Sequence, residues 1–413
     1  MTSKNLKTAE FLQAESELLL HEARKQKAEK YKTVGDPIEL SGVPIDVKVR
    51  GRYAWLAENT TTVRKLDLES RKTVQIYKGH TGPVTCLAFC DSTPGSGDSK
   101  ILISGSWDKT IRLWNTDIKT AISTTTAHTD FVKTLLVIPS LNLLVSGSSD
   151  KSVRFWDLSS PLSPNPLESV GSISSHTRPV QCLDAYVTPS GSDDAPEVTL
   201  FTADTMGVIK VWSLKKEGEG GRYRWKHTQK DEFTYHRTGV NEMVYGNGLL
   251  WTASTDESIR MHPYPPTPGV KPYPPLTYTK AFKTLLSLPI QPQLDADAFP
   301  YVLGGSGDTI RICDVSSPEE PEFVKEVEGH WHDVTHLRLW LRDSDDKRRK
   351  EVWVISASLD TTLRRWKLAE LLSPPAPQAE EKAIPIAKPQ AAPSGLTEEE
   401  ERELAELMHM DDE

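Results

Sequence analysis

The sequence predicts an all-β fold assembled from repeats, and two observations carry that reading. First, three stretches share one pattern: ILISGSWDKTIRLWN at 101–115, LLVSGSSDKSVRFWD at 143–157 and WVISASLDTTLRRWK at 353–367. Each is a short apolar run, a small polar turn holding Asp, then alternating apolar and polar residues with Trp near the end. Period-two alternation over such lengths is a strand signature, so each stretch predicts a β-hairpin with Asp108, Asp150 or Asp360 in its turn. Second, a shorter signature precedes each hairpin: GHTGPVTCLAF at 79–89, AHTDFVKTLLV at 127–137 and GHWHDVTHLRL at 329–339. Weaker copies read SHTRPVQCL at 175–183 and YHRTGVNEM at 235–243.

Taken together, His, then Ser/Thr-x3-Asp, then x5-Trp, the pattern resembles the WD40 repeat. It is complete three times: His80, Ser104, Asp108 and Trp114; His128, Ser146, Asp150 and Trp156; His330, Ser356, Asp360 and Trp366. Degenerate copies fill the gaps. One has His176, Thr202 and Trp212, with Met206 at the Asp position. Another has His236, Thr252 and Asp256, with His262 at the Trp position. A third has Asp308 and Cys313 without a His, and the first unit, at 53–68, has Leu66 at the Trp position. The Trp-equivalent positions 66, 114, 156, 212, 262, 313 and 366 count seven units. The resemblance implies a seven-bladed β-propeller over residues 33–370, with four strands per blade, because ring closure removes the exposed edge that an open array would leave. KTVGDPIELSG at 32–42 resembles KTVQIYKGHTG at 72–82, so Val34–Leu40 is expected to supply the outer strand of the last blade.

The flanks differ from this body. Residues 1–32 are rich in helix formers and free of Gly and Pro through 31, which predicts a helix. Phe11, Leu12, Leu18 and Leu19 give it an apolar stripe of about two heptads. It is expected to pack on the propeller or to take a helical partner along residues 5–31. Residues 371–395 are a Pro/Ala-rich linker with no packable core, expected to be disordered. Residues 396–413 hold nine acids against Arg402, which is −8 of the net −9. Thr397 with Glu400 makes a capping box, and Leu404, Leu407 and Met408 share a face, so this end predicts a short acidic amphipathic helix. A basic client, such as a histone or ribosomal protein, is the partner such a tail suits.

Several function classes lose support. No run of about 18 apolar residues exists, so no membrane helix is expected. No secretory leader pattern opens the chain. Four scattered cysteines without a CxxC pair fit a reducing compartment, the nucleus or cytoplasm. The His–Ser–Asp sets imitate catalytic triads, yet a triad occurs once and these recur, so they are assigned to the scaffold. In the family they form buried hydrogen-bond networks. His330-x-His332 and Met408-His409-Met410 lack further ligands at a metal-site spacing, and no phosphate-cradling or nucleophile-elbow motif is present. No catalytic residue, cofactor or metal is therefore expected. KKEGEGGRYRWKHTQK at 215–230 interleaves basic residues with Tyr223 and Trp225 and is the segment that could engage RNA. HPYPPTPGVKPYPPL at 262–276 reads as an extended crossing between blades five and six or as a polyproline docking segment.

What remains is surface. The resemblance implies a non-catalytic scaffold or adaptor that binds protein through the narrow top face, with assembly-factor and RNA-processing roles as alternatives. Three positions per blade face that side. Here they are Pro83, Thr85 and Trp107; Phe131, Lys133 and Ser149; Asp333, Thr335 and Leu359; and, in weaker blades, Pro179, Gln181, Gly239, Asn241, Thr255 and Lys283. Trp107 and Phe131 draw attention because an exposed aromatic in a tight turn is costly unless something covers it, and Trp is enriched at binding hot spots.

Overall fold

A computed structural model describes residues 3–188, 197–218, 223–266, 272–294, 299–343 and 350–373, with side chains of the N-terminal helix described from Glu17 onward. The Pro/Ala linker beyond Ser373 and the acidic end at 396–413 lie outside the described residues. Among the described residues the strands form seven sheets of four antiparallel strands each. The innermost strands are Pro44–Arg50, Val84–Cys90, Val132–Ile138, Val180–Thr188, Val240–Gly246, Phe282–Ser287 and Val334–Asp343. Each packs beside the next, and the seventh packs beside the first, so the sheets close into a ring around a channel. The repeat count and the fold class hold. From Leu66 to Trp366, the Trp-equivalent positions all pair with an apolar residue of the second strand in one register.

Apolar burial between neighbouring blades drives this assembly. Phe155 of blade three packs with Trp212 and Trp225 of blade four, all nearly solvent-free. Trp55 of blade one joins Leu102 and Trp114 of blade two. The ring is latched by its N-terminal segment. Ile38 and Glu39 pair with Leu363 and Thr362, a shorter strand than Val34–Leu40 but in the expected place. Arg364 donates to the carbonyls of Tyr31 and Val34, and the amide of Arg365 donates to the carbonyl of Gly35 at 2.7 Å. Gly35 has φ +69°, and a Cβ there would sit 2.5 Å from the Trp366 ring, so only glycine fits.

The N-terminal helix spans Ser3–Lys30. Its last turn is anchored: Lys27 pairs with Asp308, and the Tyr31 hydroxyl just beyond donates to Glu328. Leu18, Leu19 and Leu20 are 69, 63 and 53% exposed, so this part of the apolar stripe is uncovered by the propeller.

The tops of the blades carry the polar locks. In blade two, His80 Nδ1 lies 2.8 Å from Asp108 Oδ2, His80 Nε2 lies 2.7 Å from Ser104 Oγ, and Trp114 Nε1 donates to the same Oγ at 2.8 Å. One tautomer satisfies every atom: Nδ1–H donates to Asp, Ser donates to Nε2, and Trp donates to Ser. Ser104 is fully buried and its hydroxyl is committed on both sides, so this set cannot act as a nucleophile. Blades three and seven repeat the arrangement at His128 and His330.

Blade four corrects the alignment made from the sequence. Met206 does not mark a lost network. Asp204, two residues earlier, accepts from His176 Nδ1 at 3.2 Å and from the amides of Met206 and Val208. The turn differs because Gly207, with φ +85°, replaces the Lys at +69° and +70° in blades two and three. Met206 itself is 52% exposed. Asp204→Ala should cost about 3 kcal/mol by orphaning these buried donors, whereas Met206→Ala should stay within about 0.5 kcal/mol. Denaturant titration of both variants checks the assignment.

Blades one and six use substitutes. A fully buried Glu58 accepts from Arg64 at 2.7 Å in blade one. In blade six, Asp308 takes Lys280 at 2.8 Å together with Lys27 of the helix.

Two further expectations change. The described part of 215–230 lies mostly in the strand pair Ile209–Glu217 and Arg224–Phe233. Trp225 is buried against blade three, and Tyr223 donates to Asp157 at 2.8 Å under Lys216, so neither ring is available to stack on RNA bases. The Pro-rich stretch from His262 joins the third and fourth strands of blade five rather than crossing to blade six. Its Tyr264 is buried, with the hydroxyl on Asp231.

Candidate partner-binding face

The top face is built by two backbone turns per blade, and the structure joins the positions that the sequence assigned separately. The amide of Trp107 donates to the carbonyl of Pro83 at 3.0 Å, Ser149 to Phe131 at 2.9 Å, Thr255 to Gly239 at 3.1 Å and Leu359 to Asp333 at 3.0 Å. In blade four Thr205 donates to Pro179 at 3.1 Å, which adds Thr205 to the positions assigned above. Thr205 precedes Met206 as Trp107 precedes Asp108, so this position follows from the repeat alignment itself.

Close approach fixes the turn of blade two. A Cβ on Gly82 would meet the Asp108 amide at 3.0 Å. This holds Trp107 outward, 44% exposed, with its ring stacked on Phe131 at 4.8 Å between centroids and 16° between planes. Two blades thus share one aromatic surface, and Trp107 borders the channel.

The remaining predicted position in each of blades two to seven lines the channel mouth: Thr85, Lys133, Gln181, Asn241, Lys283 and Thr335. Their availability differs. Thr85 is buried and its hydroxyl is spent on the carbonyls of Gly105 and Val132. Asn241 donates to the Phe282 carbonyl at 2.7 Å and to Thr255, while Gln181 donates back to Asn241 at 3.3 Å. Thr335 donates to the Ala357 carbonyl at 3.2 Å.

The channel and its mouth together enclose about 980 Å³, and the channel holds charged residues that have no signature in the repeat. Asp46 accepts from the amide of Leu87 at 2.8 Å, and Glu242 from that of Leu285 at 2.9 Å, so carboxylates staple neighbouring blades. Arg338 donates to Glu242 at 2.7 Å and to the Val47 carbonyl at 2.8 Å, which helps close blade seven on blade one. Burial pushes His336 down to about 4, with Arg338 adding to the effect, so its ring is neutral at pH 7. Asp184 accepts the amides of Tyr245 and Ala185, yet burial pushes its carboxyl up to about 6 from an ordinary 3.8. An acid raised in the folded state makes stability fall as pH rises between those values. Asp184→Asn removes the charge but keeps only one of the two accepting oxygens, so it gives up one amide bond at every pH. Its stability relative to wild type should improve by up to about 3 kcal/mol between pH 4 and pH 8, measured by denaturation at both pH values.

Among the described residues, no group of three His, Cys, Asp or Glu side chains is placed to hold a metal. All four cysteines are buried, and burial pushes the thiols of Cys86 and Cys90 up to about 12, so neither is a poised nucleophile. No helix among the described residues is long and apolar enough to cross a membrane.

Fold, tetrads and closing strand define a propeller of repeated interaction blades. The WD40 family, described as WD domain, G-beta repeat, matches residues 71–115 and 119–157. These two matched repeats and the seven-bladed fold together support a WD40-repeat β-propeller. It is similar to an uncharacterized WD repeat-containing protein of Schizosaccharomyces pombe, 27% identical over 366 residues, covering 86% of this chain and 87% of the relative. It is also similar to the serine-threonine kinase receptor-associated proteins of Homo sapiens and Bos taurus, 42% identical over 52 residues, 13% of each chain.

Proposed function

We propose that this protein is a non-catalytic adaptor that holds a partner protein on the top face of its propeller. The single observation behind the reading is the stacked pair of Trp107 and Phe131, presented on a rigid two-blade support beside the channel mouth. Large aromatic surface held in place before binding loses little side-chain entropy on association, which is the property of an interface anchor. The sets that mimic catalytic machinery are buried and internally satisfied, which supports a scaffold in preference to an enzyme. The similarity to receptor-associated proteins spans one short stretch and supports shared repeat chemistry.

The test is affinity purification with mass spectrometry, comparing the full chain with Trp107→Ala/Phe131→Ala. The double variant should remain folded, losing about 1–2 kcal/mol from the broken stack, while a reproducible partner disappears. A partner set unchanged by the double variant would contradict the reading.

A further inference from the structure

We propose that the mouth of the channel recognises an acidic segment of a protein partner, with carboxylates between Lys133 and Lys283 and a neighbouring apolar side chain on the Trp107–Phe131 stack. This rests on the adaptor reading and adds the chemistry of the bound segment.

Three observations converge. First, the six positions named above carry cations and no acids, and the carboxylates further in, Asp46 and Glu242, are taken up by backbone amides and by Arg338. The six hold two lysines, two amides and two hydroxyls, and the amides and hydroxyls are already engaged by the fold. Second, the lysines are unmatched. Lys27 and Lys280 share Asp308, Arg64 has Glu58, and Arg338 has Glu242. Among the described residues, neither Lys133 nor Lys283 has a carboxylate partner. They come from blades three and six, three steps around a seven-membered ring, so they stand on opposite sides of one opening. Two like charges facing a cavity leave a place that an anion fills with gain. That gain is larger than on open surface, because the low-dielectric walls of the cleft focus the field. Third, the aromatic pair sits beside that opening, since Trp107 and Lys133 both line it. A ligand must therefore offer negative charge and apolar surface within a few residues, which an acidic peptide with Leu or an aromatic residue does.

A nucleic acid fits less well. Its backbone needs a track of cations, whereas the rest of the rim carries Asp130, Glu257 and Asp333 and the aspartates of the tetrads. Trp107 and Phe131 also cover part of each other's faces, which leaves one platform instead of a series.

A phage-displayed library of random peptides, selected on the immobilised full chain, tests this. The expected result is enrichment of sequences with Asp or Glu adjacent to Leu, Phe or Trp. A synthetic peptide of the enriched class should bind the protein with an affinity that falls with salt. Lys133→Gln and Lys283→Gln should each weaken it about five-fold, and Trp107→Ala about ten-fold. Lys119→Gln, exposed beside Ile118 in the turn at the opposite end of blade two, should leave it unchanged, and melting curves should show all variants folded. Failure to enrich any peptide, enrichment of basic peptides, insensitivity to both lysine variants, or displacement of the peptide by an equimolar oligouridylate would each overturn the proposal. If that happened while Trp107→Ala/Phe131→Ala still lost a partner in affinity purification, the adaptor reading would stand and only the acidic chemistry would fall.

Discussion

Replacing Trp114 by alanine is expected to lower folding stability by about 3–5 kcal/mol, among the largest effects of any single substitution here. The indole is 3% exposed and packs edge-on to Tyr77 at 5.8 Å and His80 at 6.2 Å. It fills the seam between blades one and two with Trp55, Leu87 and Leu102. Alanine would leave a cavity that rigid strands on both sides cannot collapse, and would remove the donor that completes Ser104. Trp114→Phe separates the two parts. It retains most of the volume and loses the hydrogen bond, so about 1–2 kcal/mol is expected. Denaturant midpoints of the two variants check the order. Equal losses would mean that the bond, and not the volume, holds the seam.

Asp150→Ala is expected to cost about 3 kcal/mol by a different route. The carboxylate accepts from His128 Nδ1 at 3.0 Å, from the amides of Thr129 and Ser152 at 3.1 and 3.0 Å, and from the Ser152 hydroxyl at 2.6 Å. Alanine would orphan four donors. Burial alone would raise the Asp150 carboxyl, but the Ser152 hydroxyl, the charge interaction with His128 and the backbone amides outweigh it, holding it well below the ordinary 3.8. A depressed acid contributes stability above its unfolded value and loses it as pH falls towards its folded one. The gap between wild type and Asp150→Ala should therefore be full at pH 7 and narrow as pH drops below about 4. Burial also keeps His128 below its usual range despite Asp150, so the pair is a neutral imidazole on a carboxylate at pH 7.

The seven units, the buried tetrads and the closing strand could be read from residue types at fixed spacing. Each rests on a short-range rule: alternation for strands, a small turn for Asp, and a partner for every buried indole and imidazole. What escaped the sequence depends on geometry over longer range. Asp204 substitutes for the expected aspartate because Gly207 lets the blade-four turn follow another path. Asp308 is satisfied by Lys27, more than 250 residues away in the chain. Trp225 looked available because its strand is basic and polar on the other face; the pairing of Ile209–Glu217 with Arg224–Phe233 turns it into the core. Thr85 occupies a partner position by alignment, yet its hydroxyl bridges blades two and three. The stack of Trp107 on Phe131 joins two blades and so has no signature within either repeat.

The most direct test of the account is photocrosslinking in cells, with a photoreactive amino acid placed at Ser149 or at Ile118. Ser149 lies on the top face, bonded through its amide to Phe131, whereas Ile118 is 68% exposed in the turn at the opposite end of blade two. A top-face adaptor predicts a discrete protein crosslink from Ser149 and none from Ile118. Crosslinking from Ile118 with none from Ser149 would place the partner on the opposite face and contradict the central claim.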